Sequence, residues 1–119
     1  MAQTSFEVKR ANPRFAFSAD AEITSHDGTW VPGRVSELSS RGCYIETLES
    51  IPVGTQLDLR ISDGVSSCEV QGRVLYMQAG SGLGIFGVGV LFEEMDIDQR
   101  TAIDAWLREL AGKRILRRS

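Results

Sequence analysis

The sequence contains little of what most catalytic and metal centres need. Its 119 residues include one histidine, His26, and two cysteines, Cys43 and Cys68. No zinc-ligand spacing and no cysteine–histidine pair at a recognisable spacing is present, and no G-x-S-x-G nucleophile motif occurs. We therefore expect no enzyme, no metal site and no cofactor. Both cysteines lie in strand-like patterns, and we interpret them as buried thiols.

Positive charge and long apolar runs are also scarce. The 13 Lys and Arg residues against 16 Asp and Glu residues give a net charge of −3, which does not favour nucleic acid or an anionic membrane. The longest apolar run, residues 85–92, is too short and too interrupted by glycine to span a bilayer. Residues 1–7 lack the basic and apolar regions of a secretion signal. We expect a cytoplasmic protein with no nucleic-acid partner and no membrane insertion.

The sequence is rich in segments where apolar and polar residues alternate, as they do in half-buried strands. The first predicted strand begins near Arg14, and the others cover about residues 29–37, 43–48, 55–62, 67–78 and 84–93. On the fifth strand, this alternation places Tyr76 on the same face as Cys68, Val70 and Val74. Aspartate–glycine pairs at residues 27–28 and 63–64 predict hairpin turns.

A helical pattern follows the last strand. Asp96 and Gln99 have the spacing of a capping box, and Gly112 marks the expected end of the helix. The apolar residues between them recur at helical spacing, which predicts a packed stripe: Ala102, Ile103, Trp106, Leu107 and Leu110.

Six successive strands and one helix predict an all-β fold. The strands form a six-stranded antiparallel β-barrel, because closure removes exposed edge strands, and the C-terminal α-helix lies across one end. We expect residues 1–13 to be a flexible arm, residues 14–112 to be the barrel with its helix, and residues 113–119 to be a basic tail.

Two short motifs in the predicted arm and barrel resemble those of a known family. Arg10 and Arg14 stand four residues apart in a segment without acidic residues, and Glu37, Ser39 and Gly42 lie in a predicted turn where glycine permits positive φ. R-x-x-x-R followed by a D/N-x-S-x-x-G-like turn resembles the PilZ domain, a family that binds the bacterial second messenger cyclic di-GMP. Residues 83–92 also resemble the G-V-G-V-x-F segment that ends the family's barrel. The resemblance covers about residues 9–110 and departs from the pattern at Glu37, where the family has Asp or Asn.

The resemblance implies a PilZ-like barrel that acts as a cyclic di-GMP receptor. A guanidinium matches a phosphate, or the O6/N7 edge of guanine, with two hydrogen bonds at a time. By resemblance, the acidic position and the serine bond the ligand, the glycine keeps the turn tight, and a basic residue before the arginine pair favours a stacked ligand dimer. The expected ligand-binding residues are Lys9, Arg10, Arg14, Glu37, Ser39 and Gly42. A chain this short is expected to signal through a separate partner protein.

Two alternatives remain open from the sequence. A degenerate PilZ-like adaptor would not bind nucleotide and would act by protein–protein interaction; Glu37 favours this alternative, and the intact arginine pair argues against it. A barrel that binds single-stranded nucleic acid would need aromatic stacking groups on a basic face. The two tryptophans, two tyrosines and net negative charge do not indicate such a face.

A formal G-x-G-x-x-G motif also occurs, at Gly82, Gly84 and Gly87. A dinucleotide fingerprint requires these glycines to lead into a helix, whereas here they lead into a predicted strand. We interpret them as positions that permit close packing or a bend in the strand.

Overall fold

The computed structural model describes residues 13–80, 82 and 84–118, with side chains up to residue 113. Its elements in chain order are β1 (Phe15–Ser25), β2 (Trp30–Leu38), β3 (Gly42–Thr47), β4 (Gln56–Ser62), β5 (Ser67–Ala79), β6 (Phe86–Phe92) and α1 (Ile97–Arg118). The strands close into a barrel in the order β1-β2-β3-β6-β5-β4, and all neighbouring pairs are antiparallel. The predicted six-stranded antiparallel barrel with a C-terminal helix is confirmed.

The core is built from alternate residues of the strands, as the period-two pattern predicts. On β1, the inward positions are buried while most of the positions between them face solvent. The barrel interior is apolar and includes Ile23, Val35, Ile45, Leu57, Leu59, Ile61, Val74 and Val88. Cys43 and Cys68 are buried free thiols, and burial raises the pKa of Cys43 to about 12.

Both predicted aspartate–glycine turns are present. Gly28 and Gly64 have φ values of 90° and 94°, a region that side chains disfavour and glycine tolerates. Asp27 Oδ1 accepts a hydrogen bond from the Thr29 amide at 2.9 Å, as turn aspartates commonly do. These turns connect β1 to β2 and β4 to β5.

A bulge in β5 reverses one predicted orientation. Val74 pairs with Val90 of β6, but Tyr76 pairs with the next β6 residue, Gly89, so Leu75 is an extra residue on β5. A bulge bends the strand and redirects the side chains that follow it. Tyr76 is therefore 39% exposed on the outside of the barrel, and its predicted place on the same face as Cys68, Val70 and Val74 is wrong.

The helix begins as predicted but ends later. The Gln99 amide donates to Asp96 Oδ1 at 2.8 Å, and the Asp96 amide donates to Gln99 Oε1 at 2.9 Å, which is a complete capping box. Ile103 and Trp106 are buried against the barrel. The helix continues to Arg118, so the predicted stop at Gly112 is wrong. Gly112 does not adopt the positive φ by which a glycine usually ends a helix.

Candidate functional site

The turn between β2 and β3, residues 39–42, is held together by its own serine. Ser39 Oγ accepts hydrogen bonds from the amides of Arg41 at 3.3 Å and Gly42 at 3.2 Å, and it donates to the Gly42 carbonyl at 3.3 Å. The Ser39 amide donates to the same carbonyl at 2.9 Å. The hydroxyl thus uses its donor and both lone pairs inside the turn. Ser39 shapes the turn, and its direct contact with a ligand stays a prediction.

Gly42 is required in this turn for a different reason than expected. Its φ is not positive, so the expectation that it supplies a left-handed conformation is wrong. A Cβ atom at this position would instead overlap the carbonyl oxygen of Val90 on β6. Glycine is needed because the backbones of β3 and β6 approach closely here.

The turn borders an open groove of about 170 Å³ on the outside of the barrel. Phe15 of β1 pairs with Leu38 of β2, so Arg14, one residue earlier, lies beside the start of the turn. The register of β2 and β3 sets Glu37 opposite Tyr44. Four of the predicted site residues line the groove: Arg14, Glu37, Ser39 and Gly42. The other two, Lys9 and Arg10, lie outside the described residues.

The groove has an aromatic wall that the sequence analysis missed. Tyr44 of β3 and Tyr76 of β5 lie on either side of β6, with their ring centroids 6.3 Å apart. A Cβ atom on Gly87 would overlap Tyr44, and one on Gly89 would overlap Tyr76, so the two glycines make room for the rings. The motif G-V-G-V on a strand was the available signal, because glycines on the outer face of a strand allow neighbouring aromatic rings to lie close to the backbone.

Charged side chains of both signs face the groove. Arg14 and Arg41 are exposed, and Glu37 is half-buried. In the part of the chain that the structure describes, neither Glu37 nor Arg41 belongs to an ion pair. Guanidinium groups suit phosphates and guanine edges, while a carboxylate accepts hydrogen bonds from N–H donors. The groove can therefore bind an anionic ligand that also carries a planar donor edge.

The described residues contain no cluster of three or more His, Cys, Asp or Glu side chains able to hold a metal ion. None of the helices described here is long and apolar enough to cross a bilayer.

A closed six-stranded antiparallel barrel with a docked helix and an external groove defines a small class of domains. The PilZ domain family matches residues 8–109 of the sequence, and the chain belongs to this family. No curated protein matches the sequence.

Several solved structures share the fold. The PilZ domain of YcgR from Escherichia coli with c-di-GMP aligns with a TM-score of 0.73 and 11% identity, covering 88% of this chain and 93% of that one. The Bacillus subtilis inhibitor of motility MotI/DgrA gives 0.74 and 15%, covering 92% and 53%. The K. pneumonia MrkH–c-di-GMP complex gives 0.73 and 15%, covering 91% and 55%. The chain thus spans about half the length of the last two proteins.

Proposed function

We propose that this chain is a receptor for cyclic di-GMP, that it has no enzymatic activity, and that it signals through a partner protein. The observation that carries the proposal is the meeting of Arg14, Glu37 and the 39–42 turn on one groove. These residues are separated along the chain and are brought together by the pairing of β1 with β2. Cyclic di-GMP offers two phosphates and two guanines, which match the charges and donors of this groove.

Each side of the groove has a distinct role in the proposal. Arg14 and Arg41 bond the phosphates or guanine edges, since each guanidinium makes paired hydrogen bonds. Glu37 accepts from guanine N1–H and N2–H₂. Tyr76, exposed beside the groove, stacks on a guanine, an interaction worth about 1–3 kcal/mol per base in other nucleotide-binding proteins.

The N-terminal arm completes the site in this proposal. The groove has a volume of about 170 Å³, which is less than that of most small-molecule pockets, about 300–1,000 Å³, and the proposed arm adds contacts to the ligand. Lys9 and Arg10 make these contacts when residues 1–13 close over the ligand. Slower amide exchange in this segment upon binding would support the closure, and unchanged exchange would exclude it.

Calorimetric titration with cyclic di-GMP tests the proposal. Hydrogen bonds to charged groups are worth about 1.5–3 kcal/mol, so Arg10→Ala or Arg14→Ala should weaken binding about tenfold or more. Arg60→Ala is the matched control, because Arg60 is exposed on β4, away from the groove. Cyclic di-AMP and GTP serve as ligand controls. A stoichiometry of two ligands per chain would support the stacked dimer expected from Lys9.

The second candidate is an adaptor that binds a protein without nucleotide. Two observations favour it: Glu37 stands where the family has Asp or Asn, and the Ser39 hydroxyl is occupied within the turn. If wild type and both arginine variants give the same absence of heat in the titration, the receptor proposal fails and the adaptor is favoured.

A further inference from the structure

Arg100 of α1 makes a contact that the docking of the helix does not require. Its Nη1 donates to the Ser40 carbonyl in the β2–β3 turn at 2.8 Å and lies 3.5 Å from Asp104 Oδ1. The helix itself packs chiefly against β1 and β5, where Ile103 and Trp106 are buried. Arg100 thus reaches beyond the docking surface of its own helix to the turn beside the groove.

With this contact, each of the two peptide groups that flank the Cα atom of Arg41 is hydrogen-bonded at both its carbonyl and its amide. In the first peptide group, the Ser40 carbonyl accepts from Arg100 and the Arg41 amide donates to Ser39 Oγ. In the second, the Arg41 carbonyl accepts from the Phe92 amide at 2.8 Å and the Gly42 amide donates to Ser39 Oγ. Fixing both peptide planes sets φ and ψ of Arg41 and therefore the direction in which its side chain leaves the backbone.

Arg41 lines the groove, and its side chain has the donors that an anionic ligand needs. We propose that Arg100 is a positioning residue, which holds the Ser40 carbonyl and so directs the Arg41 side chain toward a ligand in the groove. This inference rests on the proposed function, since the ligand is cyclic di-GMP. Arg100 acts through the turn and does not touch the ligand. By reciprocity, a ligand that bonds Arg41 favours the turn conformation in which Arg100 is bonded.

Titration of two matched helix variants tests the role in binding. Arg100→Met removes the hydrogen-bond donors and should weaken cyclic di-GMP binding about five- to tenfold, less than the full effect of losing one charged hydrogen bond to the ligand, because Arg100 acts only through the turn. Arg108→Met removes the same charge from an exposed position two turns further along α1 and should change affinity less than about twofold. Arg100→Lys retains one donor and should restore binding to within about threefold of wild type.

A salt series separates positioning from simple charge attraction. Long-range attraction between exposed charges is largely screened at about 0.5 M salt. If Arg100 positions the turn, the ratio of wild-type to Arg100→Met affinity persists at this salt concentration. A ratio that falls to one would show attraction by charge alone and would overturn the inference.

Amide hydrogen exchange in the ligand-free protein measures the effect of Arg100 on the turn independently of ligand binding. The Arg41 and Gly42 amides should exchange several-fold faster in Arg100→Met than in wild type or Arg108→Met. If wild type does not bind cyclic di-GMP, the proposed function fails while the exchange result still reports on the turn. Unchanged exchange in Arg100→Met, or faster exchange with unchanged affinity, would overturn the positioning role. Circular dichroism of each variant verifies that α1 is retained.

Discussion

The β4–β5 turn and the β2–β3 turn both contact α1, but they use their polar groups differently. In the β4–β5 turn, Asp63 Oδ1 accepts from the amides of Val65 and Ser66, each at 2.8 Å, and Oδ2 accepts from Trp106 Nε1 at 3.1 Å. The amides of Ser66 and Val65 hold the pKa of the Asp63 carboxyl below its ordinary value of 3.8. The carboxylate of this turn is bonded to groups of the protein itself, and its bond to Trp106 links the turn to α1.

In the β2–β3 turn, the backbone is held by Ser39 and by Arg100 from the helix. The charged side chains of this segment, Glu37 and Arg41, instead face the groove. The two turns therefore differ in one respect: in the β2–β3 turn, the Ser39 hydroxyl and the distant Arg100 bond the backbone, and the turn's own charged side chains face the groove.

Replacing Trp106, which anchors α1 to the barrel beside the β4–β5 turn, should have the largest effect on stability. Its ring is buried and lies 5.2 Å from Phe17, centroid to centroid. Trp106→Ala should lower the free energy of unfolding by about 3–5 kcal/mol, the usual cost of truncating a buried aromatic residue. Urea unfolding measures the effect. Trp30→Ala is the control, since Trp30 is 56% exposed and its loss should cost less than about 0.5 kcal/mol. Equal losses for the two variants would contradict the buried anchoring role.

A methyl group at Gly42 should damage the groove turn. It would overlap the Val90 carbonyl oxygen, and because this is backbone it yields only by separating β3 from β6. Gly42→Ala should lower stability by about 1–3 kcal/mol and weaken cyclic di-GMP binding as well. At Gly112, in contrast, an added Cβ meets nothing within 4 Å. Gly112→Ala should therefore stabilise the helix by about 0.5–1 kcal/mol. Thermal unfolding that shows no loss for Gly42→Ala would refute the close-approach argument.

The stabilisation that the Asp63 carboxylate gives the β4–β5 turn should depend on pH. Asp63→Asn should cost about 1 kcal/mol at pH 7, because charge-assisted hydrogen bonds are worth about 1.5–3 kcal/mol and partial exposure reduces that value. The folded-state pKa lies below the ordinary 3.8. The stabilisation is therefore complete above that value and is lost as pH falls through the lower folded-state pKa.

Denaturant unfolding of wild type and Asp63→Asn at pH 7, 4 and 2.5 measures this dependence. The difference between the two proteins should shrink at the lowest pH. A difference that stays constant down to pH 2.5 would show that the charge of Asp63 contributes nothing.

Changes at Glu37 should alter binding and leave stability unchanged. Glu37→Asp restores the shorter side chain of the family and should tighten cyclic di-GMP binding by about 0.5–1.5 kcal/mol, the net worth of one hydrogen bond. Glu37→Ala decides whether the carboxylate helps at all. Tighter binding by alanine would identify Glu37 as a net antagonist that repels the phosphates. Weaker binding by both variants would show that glutamate already makes a good contact and that its longer side chain is no disadvantage. Calorimetric titration distinguishes these results.

Much of the fold and part of the site were predictable from local patterns. The capping box at Asp96 and Gln99 formed as predicted, because its two hydrogen bonds involve residues three positions apart. Arg14 and Glu37 were identified by motif, and both line the groove. Arg41 was not identified, because an arginine in a turn is usually a solvated surface residue and no local pattern distinguishes it.

Two of the errors, those at Tyr76 and Gly42, have a common physical origin in strand pairing. Tyr76 was placed on the same face as Val74 because the alternation on β5 was continued through Leu75, where the pairing with β6 instead inserts an extra residue. The reason for Gly42 was also misjudged, because the close approach of Val90 depends on a strand nearly fifty residues further along the chain. A bulge or a close approach depends on two strands at once, and the sequence of either strand alone does not indicate it.

The starts of the strands, turns and helix, and the alternation of apolar and polar side chains, follow from local sequence, because these properties depend on a few neighbouring residues. The order of strands around the barrel, the outward direction of Tyr76 and the assembly of the groove arise only when the whole chain is folded. The same is true of the bond from Arg100 to Ser40, whose partners are 60 residues apart. The register between distant strands is selected by burying the whole apolar set at once, and no single segment contains that information.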